Sequence, residues 1–188
     1  ARHLIDPSKL IAGASAVYGA DEVQRSIGTV LPVSAERVLE SADGMEIDLA
    51  GRPLRLLDTP GHARHHHCVW DERSRGVFTG DTFGLSYREF DTPQGAWLLP
   101  STTPVQFDPP ALRHSFERLL ALRPDCVYLT HFGRLPATPG PNDADTLAQL
   151  GREYLEQLDA VIALGERTAA AIPGVEDRHG ALVEGLGE

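Results

Sequence analysis

The chain has 188 residues, of which 41% are hydrophobic and 23% charged, the balance of an ordinary folded domain with a hydrophobic core. With 17 basic and 27 acidic residues, its formal charge of −10 provides no basic surface for nucleic acid or for an anionic membrane. No apolar run approaches the roughly 18 residues that span a bilayer. The two cysteines, Cys68 and Cys126, lie far apart, which argues against a disulfide framework and favours a cytoplasmic location.

The first third of the chain predicts short helices followed by strands. A helical turn starts at Pro7, and Asp21 is placed as the N-cap of a second short helix. Three runs, at residues 37–40, 45–49 and 54–57, then alternate apolar and polar side chains between turn residues. This pattern predicts a β-meander.

The rest of the chain alternates strands with longer helices. Residues 69–79 predict a hairpin, and residues 82–107, rich in glycine, proline and aromatic side chains, predict a long loop. Asp108 and the two prolines after it start a helix, and an apolar strand then runs to His131. The longest helical pattern begins at Asn142 or the next residue and ends before a Pro-Gly pair.

Candidate metal ligands follow three of the predicted strands. Four of the eight histidines lie within residues 62–67, and the first of them, His62, follows a strand and a Thr-Pro-Gly turn. Two later apolar runs end at Asp81 and at His131. Because ligands on neighbouring strand ends can converge on one cation, and imidazole with carboxylate suits zinc, iron or manganese, these three residues are candidate metal ligands. The residues alone leave an alternative for each: His62 as a turn histidine bonded to backbone, Asp81 as a helix cap or Asx turn, and His131 as a core histidine.

The motifs around these residues resemble those of a known family. Thr-Pro-Gly-His at residues 59–62, Thr-Gly-Asp-Thr at 79–82 and Thr-His-Phe-Gly at 130–133 occur in the order found in the metallo-β-lactamase superfamily. The resemblance covers most of residues 1–165. It implies an α/β fold, the αββα sandwich, of which this chain supplies mainly the C-terminal half.

The resemblance also implies roles for the three residues. His62 would bind the first of two divalent metal ions, Asp81 would bridge both, and His131 would bind the second. Zinc is the expected metal, with iron and manganese as alternatives. The implied activity is that of a metal-dependent hydrolase, which cleaves a thioester, ester or similar acyl bond of a small-molecule substrate through a metal-bound hydroxide.

The superfamily's signature, His-x-His-x-Asp-His, occurs nowhere in the 188 residues. We therefore expect residues 1–165 to be the C-terminal portion of such a domain, with residues 166–188 as its C-terminal helix or tail. The site and one face of the sheet would then be completed by a missing N-terminal segment or by a second copy of the chain.

Three interpretations of the function follow. The resemblance favours the branch of hydroxyacylglutathione hydrolases and related thioester or ester hydrolases. A sulfur dioxygenase-like enzyme with one iron ion would use the same ligand positions for redox chemistry. A truncated, non-catalytic protein of the same fold, which acts by association, is the third interpretation.

Four further residues are candidates for contacts around the metals or with the substrate, and no catalytic residue is assigned. Asp58 either orients a ligating histidine or caps its strand. A helix starting near His62 would place His65 and His66 on one face, where they contact a ligand or the substrate, or else lie in solvent. Tyr87 and the other aromatic residues of the long loop form either a wall beside the metals or a cluster of their own.

Overall fold

The computed structural model describes residues 1–93, 95–102, 106–131 and 133–172. The chain divides into two compact units, Ala1–Ser41 and Ala42–Glu188. The first unit contains three helices and a 3₁₀ turn, which are α1 (Arg2–Ile5), α2 (Ser8–Tyr18), α3 (Ala20–Ser26) and the turn Ala35–Arg37.

Two local predictions for the first unit are wrong. Asp21 does not cap α3, because Gly19, with φ 87 and ψ 146, ends α2 and is itself the N-cap of α3. Asp21 lies in the first turn, where its charge still favours the positive end of the helix. Residues 38–40 form no strand, and no described strand pairs with them. Alternation of apolar and polar side chains does not make a strand unless a neighbouring strand is there to pair with it.

The second unit is built on a six-stranded sheet whose strands follow chain order across the sheet. All neighbours are antiparallel except β4 and β5, which are parallel. The predicted hairpin at residues 69–79 is confirmed as β3 and the start of β4. The strands are β1 (Glu46–Asp48), β2 (Pro53–Asp58), β3 (His67–Asp71), β4 (Gly76–Leu85), β5 (Cys126–His131) and β6 (Gly133–Leu135).

The fourth strand differs from its prediction. It continues past Asp81 to Leu85, so that Asp81 lies inside a strand and the long loop begins only after it. Its pairing with β5 shifts register on both sides of Gly80, whose φ is +51. A bulge of this kind re-aims the side chains of a strand without ending it, and Asp81 is the residue that it redirects.

Two helices, both predicted from the sequence, pack against the sheet. They are α4 (Pro109–Ala121), capped by the Asp108 carboxylate 3.1 Å from the Ala111 N–H, and α5 (Asp143–Ala171). The core between helices and sheet is a single cluster of buried side chains. Helix α5 runs through residue 165 without interruption, and the proposed division there stays a prediction, with residues 173–188 outside the described part.

An aromatic stack joins both helices to β4 beside Asp81. Phe116 of α4 stacks on Phe83 at 4.5 Å and on Tyr154 of α5 at 4.3 Å between ring centroids. The buried Tyr154 hydroxyl donates to the carbonyl of Thr82 at 3.1 Å. The strand that carries Asp81 is therefore fixed from behind by packing and by a buried hydrogen bond.

Two further expectations concern the whole described chain. No helix among the described residues is long and apolar enough to cross a membrane. Cys68 and Cys126 are both free and buried, in agreement with the absence of a disulfide framework.

Candidate metal centre

The three predicted ligands lie together, with Asp81 between the two histidines. Its Oδ2 is 3.6 Å from Nε2 of His62, and its Oδ1 is 3.2 Å from Nε2 of His131. The side chain of His62 is 17% exposed, that of Asp81 24% and that of His131 50%. Each histidine therefore faces a different oxygen of one carboxylate, and the cluster opens to solvent on the His131 side.

Parallel pairing of β4 and β5 brings Asp81 to His131. The two strands end at the same edge of the sheet, and His131 is paired with Leu85 there. The N–H of Ser86 also donates to the carbonyl of His131 at 2.8 Å. This end of β5 is thus fixed to the end of β4, so that the imidazole reaches back along the sheet towards the bulged Asp81.

His62 is brought to the site by a turn that is clamped to the start of α4. The carbonyl of Pro60 accepts from the hydroxyl of Ser115 at 2.6 Å, and the carbonyl of Gly61 accepts from the N–H of Asp108 at 2.8 Å. Gly61 has φ +135, and a Cβ there would lie 2.2 Å from the Cα of Leu112. Only glycine allows this approach of turn and helix.

The ring of His62 is held at its other nitrogen. Its Nδ1 lies 3.3 Å from the Ser101 hydroxyl and 3.4 Å from the Ser101 carbonyl. A metal-ligating histidine commonly has such a partner at its second ring nitrogen, which fixes the orientation of the ring. The contact leaves Nε2 turned towards Asp81.

His66 contacts the backbone of the cluster and lies in a polar pocket. Its Nε2 accepts from the N–H of Asp81 at 3.0 Å, and its Nδ1 lies 2.9 Å from the Thr59 hydroxyl and 3.1 Å from that of Thr82. Burial, helped by the charge of nearby His62, lowers the pKa of His66 to about 4. The ring is therefore neutral at physiological pH.

The expected helix after His62 is not formed. Residues 61–65 make a series of bends and a turn, because the clamped Gly61 bends the chain away from helical geometry. In this turn His65 is exposed, whereas His66 points inward. A role of His65 as a substrate contact stays a prediction.

Asp58 makes its described contacts through its backbone. Its N–H donates to Asp43 at 2.9 Å, and its carbonyl accepts from Arg118 at 3.0 Å. The residue is exposed, so these contacts favour the strand-end role over the orienting role, which stays a prediction.

Tyr87 belongs to an aromatic cluster of the long loop. Its ring lies 6.2 Å from Phe90 and 5.9 Å from Trp97 between centroids. The loop thus packs on itself, which was one of the two alternatives. Whether the cluster also borders bound metal ions or substrate stays a prediction.

Several polar groups of the site were not singled out by sequence reasoning. Thr59 and Thr82 are fully buried against His66. Both belong to the quoted motifs, and this could have identified them as residues of the site. Ser101 and Ser115 carry no comparable signal, since only tertiary folding brings Ser101 to His62 and Ser115 to Pro60. Cys68, in contrast, is a buried thiol whose pKa burial raises to about 11, and it donates to the carbonyl of Thr79 at 3.2 Å.

The donor set suits a divalent metal, but it is incomplete. Among the described residues, no group of three or more histidine, cysteine, aspartate or glutamate side chains could by itself hold a metal ion. The cluster instead forms two pairs that share Asp81, one with His62 and one with His131. A catalytic zinc ion usually has about three protein ligands, so each pair is part of a coordination shell.

Comparison with known proteins identifies the family to which this α/β fold, with a His–Asp–His cluster at one edge of its sheet, belongs. The model of the metallo-beta-lactamase superfamily matches residues 9–131, more than half of the chain. The chain belongs to the metallo-β-lactamase superfamily, whose members are generally metal-dependent hydrolases.

Similarity to individual proteins supports the same family assignment. The chain is 35% identical, over 98 residues, to the metallo-beta-lactamase fold-containing protein ST1585 of Sulfurisphaera tokodaii, a match that covers 52% of this chain and 34% of that protein. The crystal structure of ST1585 is similar with a TM-score of 0.60 and 29% identity, over 80% of this chain and 50% of that one. A Thermus thermophilus protein of the metallo-beta-lactamase family, TTHA1429, shares the fold, with a TM-score of 0.53, 24% identity, and coverage of 87% and 50%. The chain thus spans half or less of the length of these relatives.

Proposed function

We propose that His62, Asp81 and His131 are ligands of a two-metal hydrolytic centre in which Asp81 bridges the ions. The observation that carries this proposal is the placement of each histidine opposite its own carboxylate oxygen, at 3.6 Å and 3.2 Å. Donors bound to one zinc ion at about 2.0–2.2 Å in tetrahedral geometry lie roughly 3.3 Å apart. The contact of 3.6 Å is also too long for a hydrogen bond.

The rest of each coordination shell must come from outside the described residues. We propose that it comes from an N-terminal segment that carries the His-x-His-x-Asp-His signature, or from a second copy of the chain. Two donors per ion give a weak site, so the chain alone should bind metal less tightly than the assembled protein. Zinc is the metal that we propose, with iron and manganese as alternatives that the same donors accept.

The proposed reaction is hydrolysis of a thioester, ester or similar acyl bond in a small-molecule substrate. Divalent metal ions supply Lewis acidity and lower the pKa of bound water towards ~7. Asp81 would hold the two ions at a common distance, and Ser101 would keep the ring of His62 aimed at the first. The half-exposed His131 leaves the substrate an open approach. We propose a cytoplasmic location, with neither nucleic acid nor membrane as a partner.

A non-catalytic role is the second candidate, and one observation favours it. The described residues hold no group of three or more ligands that could bind a metal ion by itself. A protein of this fold that acts by association would not need a complete metal site.

The hydroxyacylglutathione hydrolase-like branch and the sulfur dioxygenase-like alternative differ in their reaction. The following experiment distinguishes the two reactions.

We expect metal content and thioester turnover to rise together when the chain is combined with a segment that carries the His-x-His-x-Asp-His signature. Zinc content would be measured by mass spectrometry, and turnover with an acyl-glutathione thioester, with His114→Gln as the control because His114 is exposed on α4. Oxygen consumption with a glutathione persulfide would instead identify the dioxygenase. Thioester turnover by this chain alone would contradict the proposal that its coordination shells are incomplete.

A further inference from the structure

The hydrogen bonds of His66 determine which ring nitrogen carries its proton. The N–H of Asp81 can only donate, so Nε2 of His66, at 3.0 Å, must be the acceptor and carry no proton. The proton of the neutral ring therefore sits on Nδ1. From there it can be donated to the hydroxyl of Thr59 or of Thr82, at 2.9 Å and 3.1 Å.

These contacts tie together two segments that lie far apart in sequence. Thr59 precedes the turn that carries His62, and Thr82 directly follows Asp81. The N–H of Thr59 also donates to the carbonyl of His66 at 3.0 Å, so both the ring and its backbone are fixed. The ring of His66 lies edge to face with that of His62, 5.8 Å between centroids. His66 thus lies between the turn that follows β2 and strand β4, and it contacts both.

Gly80 supplies a second, independent observation. Its φ is +51, and a Cβ at this position would lie 2.4 Å from Nε2 of His66. The absence of a side chain is thus what lets the ring approach the bulged strand closely enough to accept from Asp81. The bulge and the ring are complementary in shape, and a change on either side disturbs the other.

We propose that His66 is a positioning residue, which fixes the backbone at Asp81 so that the carboxylate presents one oxygen to His62 and the other to His131. The proposal rests on the proposed function. It also separates His66 from its histidine neighbours, since the exposed His65 and His67 make no such contact with Asp81. His66 itself would touch neither metal ion nor substrate.

The test combines three variants with Co²⁺ as a spectroscopic probe. His66→Leu removes the acceptor while filling space, His66→Gln restores an acceptor near the position of Nε2, and His114→Gln, at an exposed position of α4, is the control. We expect His66→Leu to bind Co²⁺ about 10–100-fold more weakly, with an altered d–d absorption spectrum, as is usual when a contact to a ligand is lost. His66→Gln should recover part of the affinity, and His114→Gln should behave as the unmodified chain does.

Gly80→Ala covers the case in which His66→Leu does not fold. It keeps every polar group but displaces the ring, so it should weaken Co²⁺ binding in the same way. Nitrogen-15 NMR of the unmodified chain should show the ring of His66 protonated at Nδ1, without any metal. Protonation at Nε2 would overturn the inference, and so would undiminished Co²⁺ binding by folded His66→Leu or Gly80→Ala. If the unmodified chain binds no Co²⁺ even at millimolar concentration, the proposed function fails and this inference fails with it.

Discussion

Asp81→Asn is expected to weaken the binding of both metal ions at once. The substitution keeps the shape of the side chain and the backbone contact to His66, but it removes the charge that both histidine–aspartate pairs share. The loss should exceed the ~10–100-fold that changes beyond the ligands usually cause. Equilibrium dialysis with Zn²⁺, followed by metal analysis, measures it.

Substitution of the histidines shows whether the carboxylate is shared. His62→Gln and His131→Gln should each impair one ion more than the other, whereas Asp81→Asn impairs both. Asp125→Asn is the control, since the Asp125 carboxylate forms a half-exposed ion pair with Arg75. Zn²⁺ affinity in Asp81→Asn equal to that of the unmodified chain would exclude a bridging role.

Gly61→Ala is expected to be the most destabilising single methyl addition in this site. The new Cβ would lie 2.2 Å from backbone atoms of Leu112, so the turn must leave α4. That movement breaks the hydrogen bonds from Asp108 to Gly61 and from Ser115 to Pro60. We expect a loss of about 3–5 kcal/mol in the free energy of unfolding, a large part of a usual margin of about 5–15 kcal/mol.

Gly44→Ala separates steric overlap from backbone strain. Gly44 also has a positive φ, +74, but nothing lies within 4 Å of the position of its missing Cβ. Its substitution should cost only the strain of a left-handed conformation, about 1–2 kcal/mol. Urea unfolding of both variants measures the difference. Equal losses would mean that the contact of Gly61 with α4 does not limit stability.

The sequence predicts the positions of the ligands better than it predicts how they are held. His131 ends β5 as expected, because an apolar β-branched run followed by a polar residue marks a buried strand reaching its edge. Asp81 does not end β4, since the strand bulges at Gly80, where the ring of His66 lies close, and then continues to Leu85. Such a contact between distant segments leaves no periodic pattern in the sequence.

The histidine cluster shows the same limit. Periodicity alone could not tell whether His65, His66 or His67 faces inward, because the answer depends on the turn imposed by Gly61 against α4. Thr59 and Thr82, whose hydroxyls hydrogen-bond with the ring of His66, are both parts of the quoted motifs. The sequence does not show that they contact the same ring. Burial of polar groups becomes meaningful only once their partners are known.

Anomalous X-ray diffraction at the zinc edge, on crystals of the assembled protein grown with Zn²⁺, shows directly whether Asp81 bridges two ions. We expect two peaks, one beside Nε2 of His62 and one beside Nε2 of His131, each within about 2.0–2.2 Å of a different oxygen of Asp81. Zinc bound instead to the exposed histidines at 65 and 67, with none at Asp81, would contradict it.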